Sequence, residues 1–136
     1  MSLVVPDALE VEILTEKLTP PLTLRLFGNN VTPIGSSSSA SFTEIAGGGY
    51  LAFPLLFANW GITAGNPSIA IYDTIQTWNF TSVITAPGTI YGYFVTRNSD
   101  GKLMWAERFA TGVIPFVPIA GSKIQVLPKF TATSQF

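Results

Sequence analysis

The sequence predicts a mainly β fold: a single β-sandwich or jelly-roll-like domain with a short N-terminal helix. Three observations lead there. Short runs of alternating apolar and polar residues recur along most of the chain. Gly, Pro and Asn stand between those runs at turn spacing. Asp100-Gly101 joins two β-rich runs, which is the strongest short-range hairpin signal. At 136 residues the chain is long enough for one domain with a sizeable core. The division is an N-terminal helical arm over 1–20 and a β-sandwich domain over 21–136. No repeat of fixed period is visible.

Pro6-Asp7-Ala8-Leu9 reads as a helix start, with proline in the first turn and an acid at the positive end of the dipole. Leu9, Ile13, Leu14 and Leu18 then form an apolar stripe, with Glu10, Glu12, Glu16 and Lys17 off it. Leu9 to Ile13 also alternates as a strand does, but the stripe favours helix. Pro20-Pro21 ends it. Leu22 to Phe27 alternates and closes at Gly28-Asn29-Asn30, so it is the first strand. Residues 32–49 are rich in Ser, Thr, Ala and Gly and read as a surface loop, with a short ordered piece near Phe42 to Ile45.

Tyr50 to Phe57 is apolar with Pro54 in its middle. Proline has no N–H for a ladder, so this is an edge strand or two short pieces. Trp60 to Thr63, Ser68 to Tyr72 and Thr77 to Thr81 follow as short strands. The hairpin runs from Thr89 to Phe109. Alternation places Ile90, Phe94, Leu103, Trp105 and Phe109 on one face and Tyr91, Tyr93, Val95, Met104 and Ala106 on the other. In the last strand Ile124, Val126, Pro128 and Phe130 share a face, opposite Lys123, Gln125 and Lys129.

Charge is scarce. Asp, Glu, Lys and Arg make up 11% of the chain, against about 25% in ordinary soluble domains. Hydrophobic residues make up 47%. A small domain keeps much of its chain at the surface. A surface this poor in charge suits another protein better than water, which points to a subunit of an assembly. The seven basic residues are scattered, which argues against nucleic acid as a partner. Two long stretches, Ile45 to Tyr72 and Thr74 to Thr96, carry no charge. Gly, Pro and polar residues break both, so β structure accounts for them better than a membrane span. The first seven residues carry no secretory pattern.

Little chemistry can be built from these residue types. There is no cysteine and no histidine, which removes thiolates, the commonest metal ligand and the usual general base. No motif pairs a base with the Ser36 to Ser39 run. Gly47-Gly48-Gly49 lacks the Lys-Ser/Thr of a phosphate loop and reads as a hinge. Asn30-Val31-Thr32 and Asn79-Phe80-Thr81 match the glycosylation pattern by chance. Glu44 and Glu107 are the one carboxylate pair that a small hydrolase could use. Glu107 shares a face with Trp105 and Phe109, and a buried charge needs a partner. Arg25, or another basic residue across the sheet, is the expected partner in a structural ion pair; the alternative is an exposed strand end with Glu107 solvated. No enzyme activity, metal or cofactor is expected.

Several blocks in order carry a resemblance. They are Leu24-Arg25-Leu26-Phe27-Gly28-Asn29-Asn30-Val31-Thr32-Pro33, Phe42-Thr43-Glu44, Ala58-Asn59-Trp60, Ile90 to Val95 and Leu103 to Phe109, with Leu9 to Leu14 before them. Together the chain resembles a family of small virion structural proteins of tailed bacteriophages, of the capsid cement or decoration type. Gly28 departs from the pattern, where a basic or polar residue is expected. The resemblance covers most of the chain and implies no catalytic residue. It implies a protein that binds the outside of the major capsid shell and stabilises it. Its partners are then the major capsid protein and further copies of itself, with neither nucleic acid nor membrane. Its place is the capsid exterior of the virion, after synthesis in the host bacterial cytoplasm. The alternative is a tail, baseplate or fibre component with a carbohydrate-binding β-sandwich, its sugar platform drawn from Trp, Tyr and Phe. The expected interface residues are Tyr50, Phe53, Leu55 and Phe57 in the Pro-broken segment and Ile114 and Phe116 in the Val113 to Pro118 loop. Both segments hold large apolar residues in stretches too irregular for core strands; the alternative is that they pack inside their own subunit.

Overall fold

The computed structural model describes residues 6–65 and 67–132. The chain is mainly β, with one α-helix near its N-terminus. Helix α1 spans Asp7–Leu18. Eleven strands follow among the described residues: β1 (Leu22–Phe27), β2 (Ala46–Gly47), β3 (Phe53–Leu55), β4 (Trp60–Thr63), β5 (Ser68–Tyr72), β6 (Gln76–Asn79), β7 (Ile84–Ala86), β8 (Gly92–Arg97), β9 (Leu103–Arg108), β10 (Lys123–Val126) and β11 (Lys129–Ala132). They form four antiparallel sheets, in the orders β3-β1-β8-β9, β11-β5-β4, β10-β6 and β2-β7.

Helix α1 starts at Pro6, whose extended backbone and missing N–H suit a helix entry. Its buried residues are Glu10, Leu14 and Leu18, while Leu9 is 43% exposed. The expected stripe is therefore turned by one position. Leu14 and Leu18 belong to the same core as the strands, so the helix is part of the β domain and not an arm beside it. Glu10 is buried at 1% exposure. The Ser68 hydroxyl donates to its Oε1 at 2.7 Å, and its Oε2 is buried without a hydrogen bond among the described residues.

The register of β1 fixes two faces. Leu22, Leu24 and Leu26 point inward beside Leu55 and Phe53 of β3 and Tyr93 and Val95 of β8. Trp105 and Glu107 of β9 lie opposite Val95 and Tyr93, on that same inward face. Thr23, Arg25 and Phe27 point outward. There Phe27, Phe42 and Phe94 form a second small core, closed by Val31, Leu103 and Ala106. Residues of the 28–45 loop thus cover the outward face. Gly28 lies at the close approach beneath it. A Cβ there would sit 2.4 Å from both Pro87 Cγ and the Thr89 carbonyl, so no basic or polar side chain fits this position.

The β8–β9 hairpin forms where Asp100-Gly101 predicts, and Gly101 takes a positive φ of 73°. Arg97 donates to Asp100 and, with the Lys102 N–H, holds that carboxyl down to about 2. The faces differ from strict alternation. Val95 pairs with Trp105 and Thr96 with Leu103, so Met104 is the extra residue of a bulge. Leu103 and Ala106 therefore share the outward face with Phe94, and Met104 and Trp105 pack on the main core.

The inward face of β11-β5-β4 meets the inward face of the four-stranded sheet. Trp105 lies edge-on to Trp60 of β4 at 6.1 Å and stacks on Phe130 of β11 at 5.0 Å. The segment holding Pro54 is an edge strand, as its proline requires. Ile124 and Val126 of β10 are buried against exposed Lys123 and Gln125, as alternation predicts.

Candidate functional site

Face parity decides the fate of each expected site residue. Arg25 stands on the outward face and Glu107 on the inward one, so the expected Arg25–Glu107 ion pair does not form. The partner of Arg25 is Glu44, which reaches β1 through a backbone bridge to Phe27. Arg25 Nη1 donates to the two Glu44 oxygens at 2.9 and 3.2 Å, and Arg25 Nε donates to Thr96 Oγ1 at 3.1 Å. The Tyr50 hydroxyl donates to Glu44 Oε2 at 2.7 Å and accepts the Leu26 N–H at 3.1 Å. Tyr50 therefore closes the stretch of β1 that β3 leaves unpaired. Glu107 is exposed at the sheet edge and accepts the Tyr93 hydroxyl at 2.8 Å. Glu44 and Glu107 thus face opposite sides of one sheet and cannot act together on a glycosidic bond.

Burial and the Glu44 carboxylate push the Tyr50 phenol well above its ordinary value. Burial and Glu107 do the same for Tyr93. The unfolded chain therefore loses these two protons first as pH rises. Their contribution to stability is whole below about pH 10 and shrinks above it, by up to about 1.4 kcal/mol per phenol per pH unit. Denaturant titrations between about pH 9 and 11 are expected to show stability falling with pH. Tyr50→Phe and Tyr93→Phe should each flatten that fall. An unchanged slope in both variants would contradict the assignment.

Of the six expected interface residues one is buried, four are half-buried and one is exposed. Leu55 is fully buried, because it pairs with Leu22 on the inward face. Phe53 packs on Trp78 at 4.8 Å for the same reason. Phe116 pairs with Ile90 through both backbone hydrogen bonds and packs on the core, and Ile114 is half-buried. Of the six residues only Phe57 is exposed, at 39%. The large apolar residues that do reach the surface are their neighbours and the turn residues.

Among the described residues, seven of the twelve exposed large apolar residues lie near the two ends of the β6–β10 ladder; the other five are Leu9, Ile34, Leu51, Ile71 and Val113. Phe80 and residues 121–122 exchange backbone hydrogen bonds beyond one end. Val83, Val117 and Ile119 are all exposed there, by 57% or more. Beyond the other end, Asp73 N–H bonds to Asn59, and Tyr72 N–H to Pro128. Leu56, Phe57, Ile75 and Leu127 are exposed around that turn. Exposed Lys123 borders the first end, and exposed Asp73 and Lys129 border the second. Exposed apolar clusters of this kind mark interaction surfaces. The indoles are engaged within the fold, Trp60 with Tyr72, Trp78 with Phe53 and Trp105 with Phe130.

Among the described residues no group of His, Cys, Asp and Glu is placed to hold a metal ion, and no helix is long and apolar enough to cross a membrane. Comparison with protein-family models, with curated proteins and with solved structures gives no match.

Proposed function

We propose that this chain is a binding subunit of a virion: a cement protein that attaches to the outside of a capsid shell as a homo-oligomer and braces it. In this reading the two facing sheets are the halves of a sandwich, and its apolar ends grip neighbours. The observation that carries the proposal is the pair of exposed apolar ends on a chain with so little charge. Burying one such Val, Leu or Ile side chain is worth about 1.5–3 kcal/mol before the costs of association. Repetition over a symmetric shell multiplies a modest contact. The resemblance of the Leu24 to Pro33 and Leu103 to Phe109 blocks to phage virion proteins supplies the kind of assembly.

Light scattering on the purified chain tests the binding half. The chain is expected to self-associate at micromolar concentration. Val83→Asp combined with Ile119→Asp, or Ile75→Asp combined with Leu127→Asp, should shift it towards monomer without lowering its melting temperature. A wild-type chain that stays monomeric and freely soluble at millimolar concentration overturns the proposal. An electron-microscopy map of the particle tests the location. Hundreds of copies outside the shell support cement, and a few copies on a tail support the fibre alternative.

A further inference from the structure

The four-stranded sheet ends in an open edge. β9 pairs with β8 on one side, and no described strand pairs with it on the other. An open edge offers unpaired N–H and C=O groups that another chain can complete. The bulge at Met104 lies at the hairpin end, and Trp105 to Arg108 continue in regular register beyond it.

Two hollows border this edge, and both are lined by Leu103, Met104 and Trp105. The inner one, about 260 Å³, adds Lys17, Arg97, Lys102 and Phe130. The outer one, about 440 Å³, adds Ala106 and the Pro33 to Ser37 turn. That turn is held by paired hydrogen bonds between Ile34 and Ser37, each 3.0 Å, and it carries Ile34 at 66% exposure. The two hollows differ in character. Three of the seven basic residues line the inner one, and no Asp or Glu does. Arg97 is paired with Asp100, while Lys17 and Lys102 hold no ion pair among the described residues. The outer hollow has no charged lining.

We propose that β9 accepts an acidic, extended segment of a partner polypeptide as a fifth strand of the sheet. Strand geometry sends successive side chains to opposite faces. A segment laid along β9 therefore alternates between the two hollows where it passes Leu103 to Ala106. Carboxylates on the inner side beside Leu103 to Trp105 meet Lys17 and Lys102, and the segment carries no acid opposite the exposed Glu107, which stands on that same side. The aliphatic side chains between them meet Ile34 and Ala106. The partner is thus read beside Leu103 to Ala106 by a period-two pattern of acid and aliphatic residues, with the backbone ladder supplying attachment. Nucleic acid fits this edge less well. Two free lysines neutralise little phosphate, and the Trp105 ring already stacks on Phe130. The inference stands whatever larger particle the chain belongs to.

The test is an NMR titration of the isotope-labelled chain with an acetylated, amidated heptapeptide of alternating Glu and Val, with Gln in place of the Glu at the Glu107 end. Shifts are expected at Lys102 to Arg108, at residues 33–37 and at the Trp105 indole. Lys17→Glu combined with Lys102→Glu should weaken binding by about tenfold or more and leave the melting temperature unchanged. A peptide with proline at its central valine should weaken similarly, because it cannot complete the ladder. The counterpart with Lys in place of Glu should not bind. The proposal is overturned by no shifts at millimolar peptide, or by shifts confined elsewhere. It is also overturned if the double charge reversal or the proline peptide binds as tightly as the originals, or if an oligothymidine of equal charge binds β9 more tightly.

Discussion

Glu10→Met is expected to stabilise the fold by about 1–3 kcal/mol. Glu10 lies under α1 at 1% exposure, with one oxygen bonded to Ser68 and the other bonded to nothing described. A buried carboxylate loses its hydration, and one hydroxyl returns only part of it. Methionine fills a similar volume and is an equally good helix former. Ser68 is not stranded by the change. Its single proton can turn to the Gly65 carbonyl, 3.2 Å away, and its Oγ still accepts the Gly65 N–H at 3.3 Å. Glu10→Ala serves as the control. It removes the same charge but leaves a cavity, so its gain should be smaller or absent. Urea denaturation of the three proteins separates these outcomes. A clear loss of stability in Glu10→Met would show that the Ser68 hydrogen bond outweighs the buried charge.

Gly92→Ala is expected to act in the opposite direction, with a loss of about 3 kcal/mol or more. Gly92 opens β8 between Phe27 of β1 and Arg108 of β9. A Cβ there would lie 2.2 Å from the Glu107 carbonyl and 2.6 and 2.7 Å from the Phe27 ring. The carbonyl is held in the ladder and cannot turn aside. Phe27 cannot move freely either, because it packs 4.8 Å from Phe42 and 6.4 Å from Phe94. Relief must come from spreading β8 and β9 apart, which breaks the sheet where it is most buried. Gly112→Ala is the matched control, since a Cβ at that position meets nothing within 4 Å. It should change stability by no more than about 0.5 kcal/mol. If the two variants melt alike, the close approach at Gly92 is not as tight as described.

What the sequence makes legible here is local. Pro6-Asp7 marks the start of α1, Asp100-Gly101 marks the hairpin, and Pro54 marks an edge strand. Each depends on the backbone of a few neighbouring residues. What it hides depends on partners far along the chain. Glu10, Leu14 and Leu18 fit a helical face as well as Leu9 and Ile13 do, and hydrophobicity alone prefers the latter. Leu14 and Leu18 pack into the strand core, and Ser68 gives Glu10, buried with them, a donor from another element. Arg25 has two candidate carboxylates, and only register, with Arg25 facing outward and Glu107 inward, selects Glu44.

The expected interface residues are more buried than their segments suggest, for a related reason. The expected segments do border the surface, but Phe53 and Leu55 are set inward by pairing with β1. The exposed apolar residues sit beside turn formers instead. Ser82-Val83, Asp73-Thr74-Ile75, Pro118-Ile119-Ala120-Gly121 and Leu127-Pro128 are the signal that finds them. An aliphatic residue inside a turn has nowhere to bury itself in its own subunit.

The pairing pattern of the strands has a consequence for how the molecule is made. β1 lies between β3 and β8, and β5 must wait for β11, far along the chain from it. Such high contact order places folding in roughly the millisecond-to-second range and delays closure of the core until β11 has been made. Until then the nascent polypeptide exposes long uncharged stretches, which favours aggregation over recovery. Yield should therefore improve when translation is slowed by cold induction, even though the finished fold is unchanged.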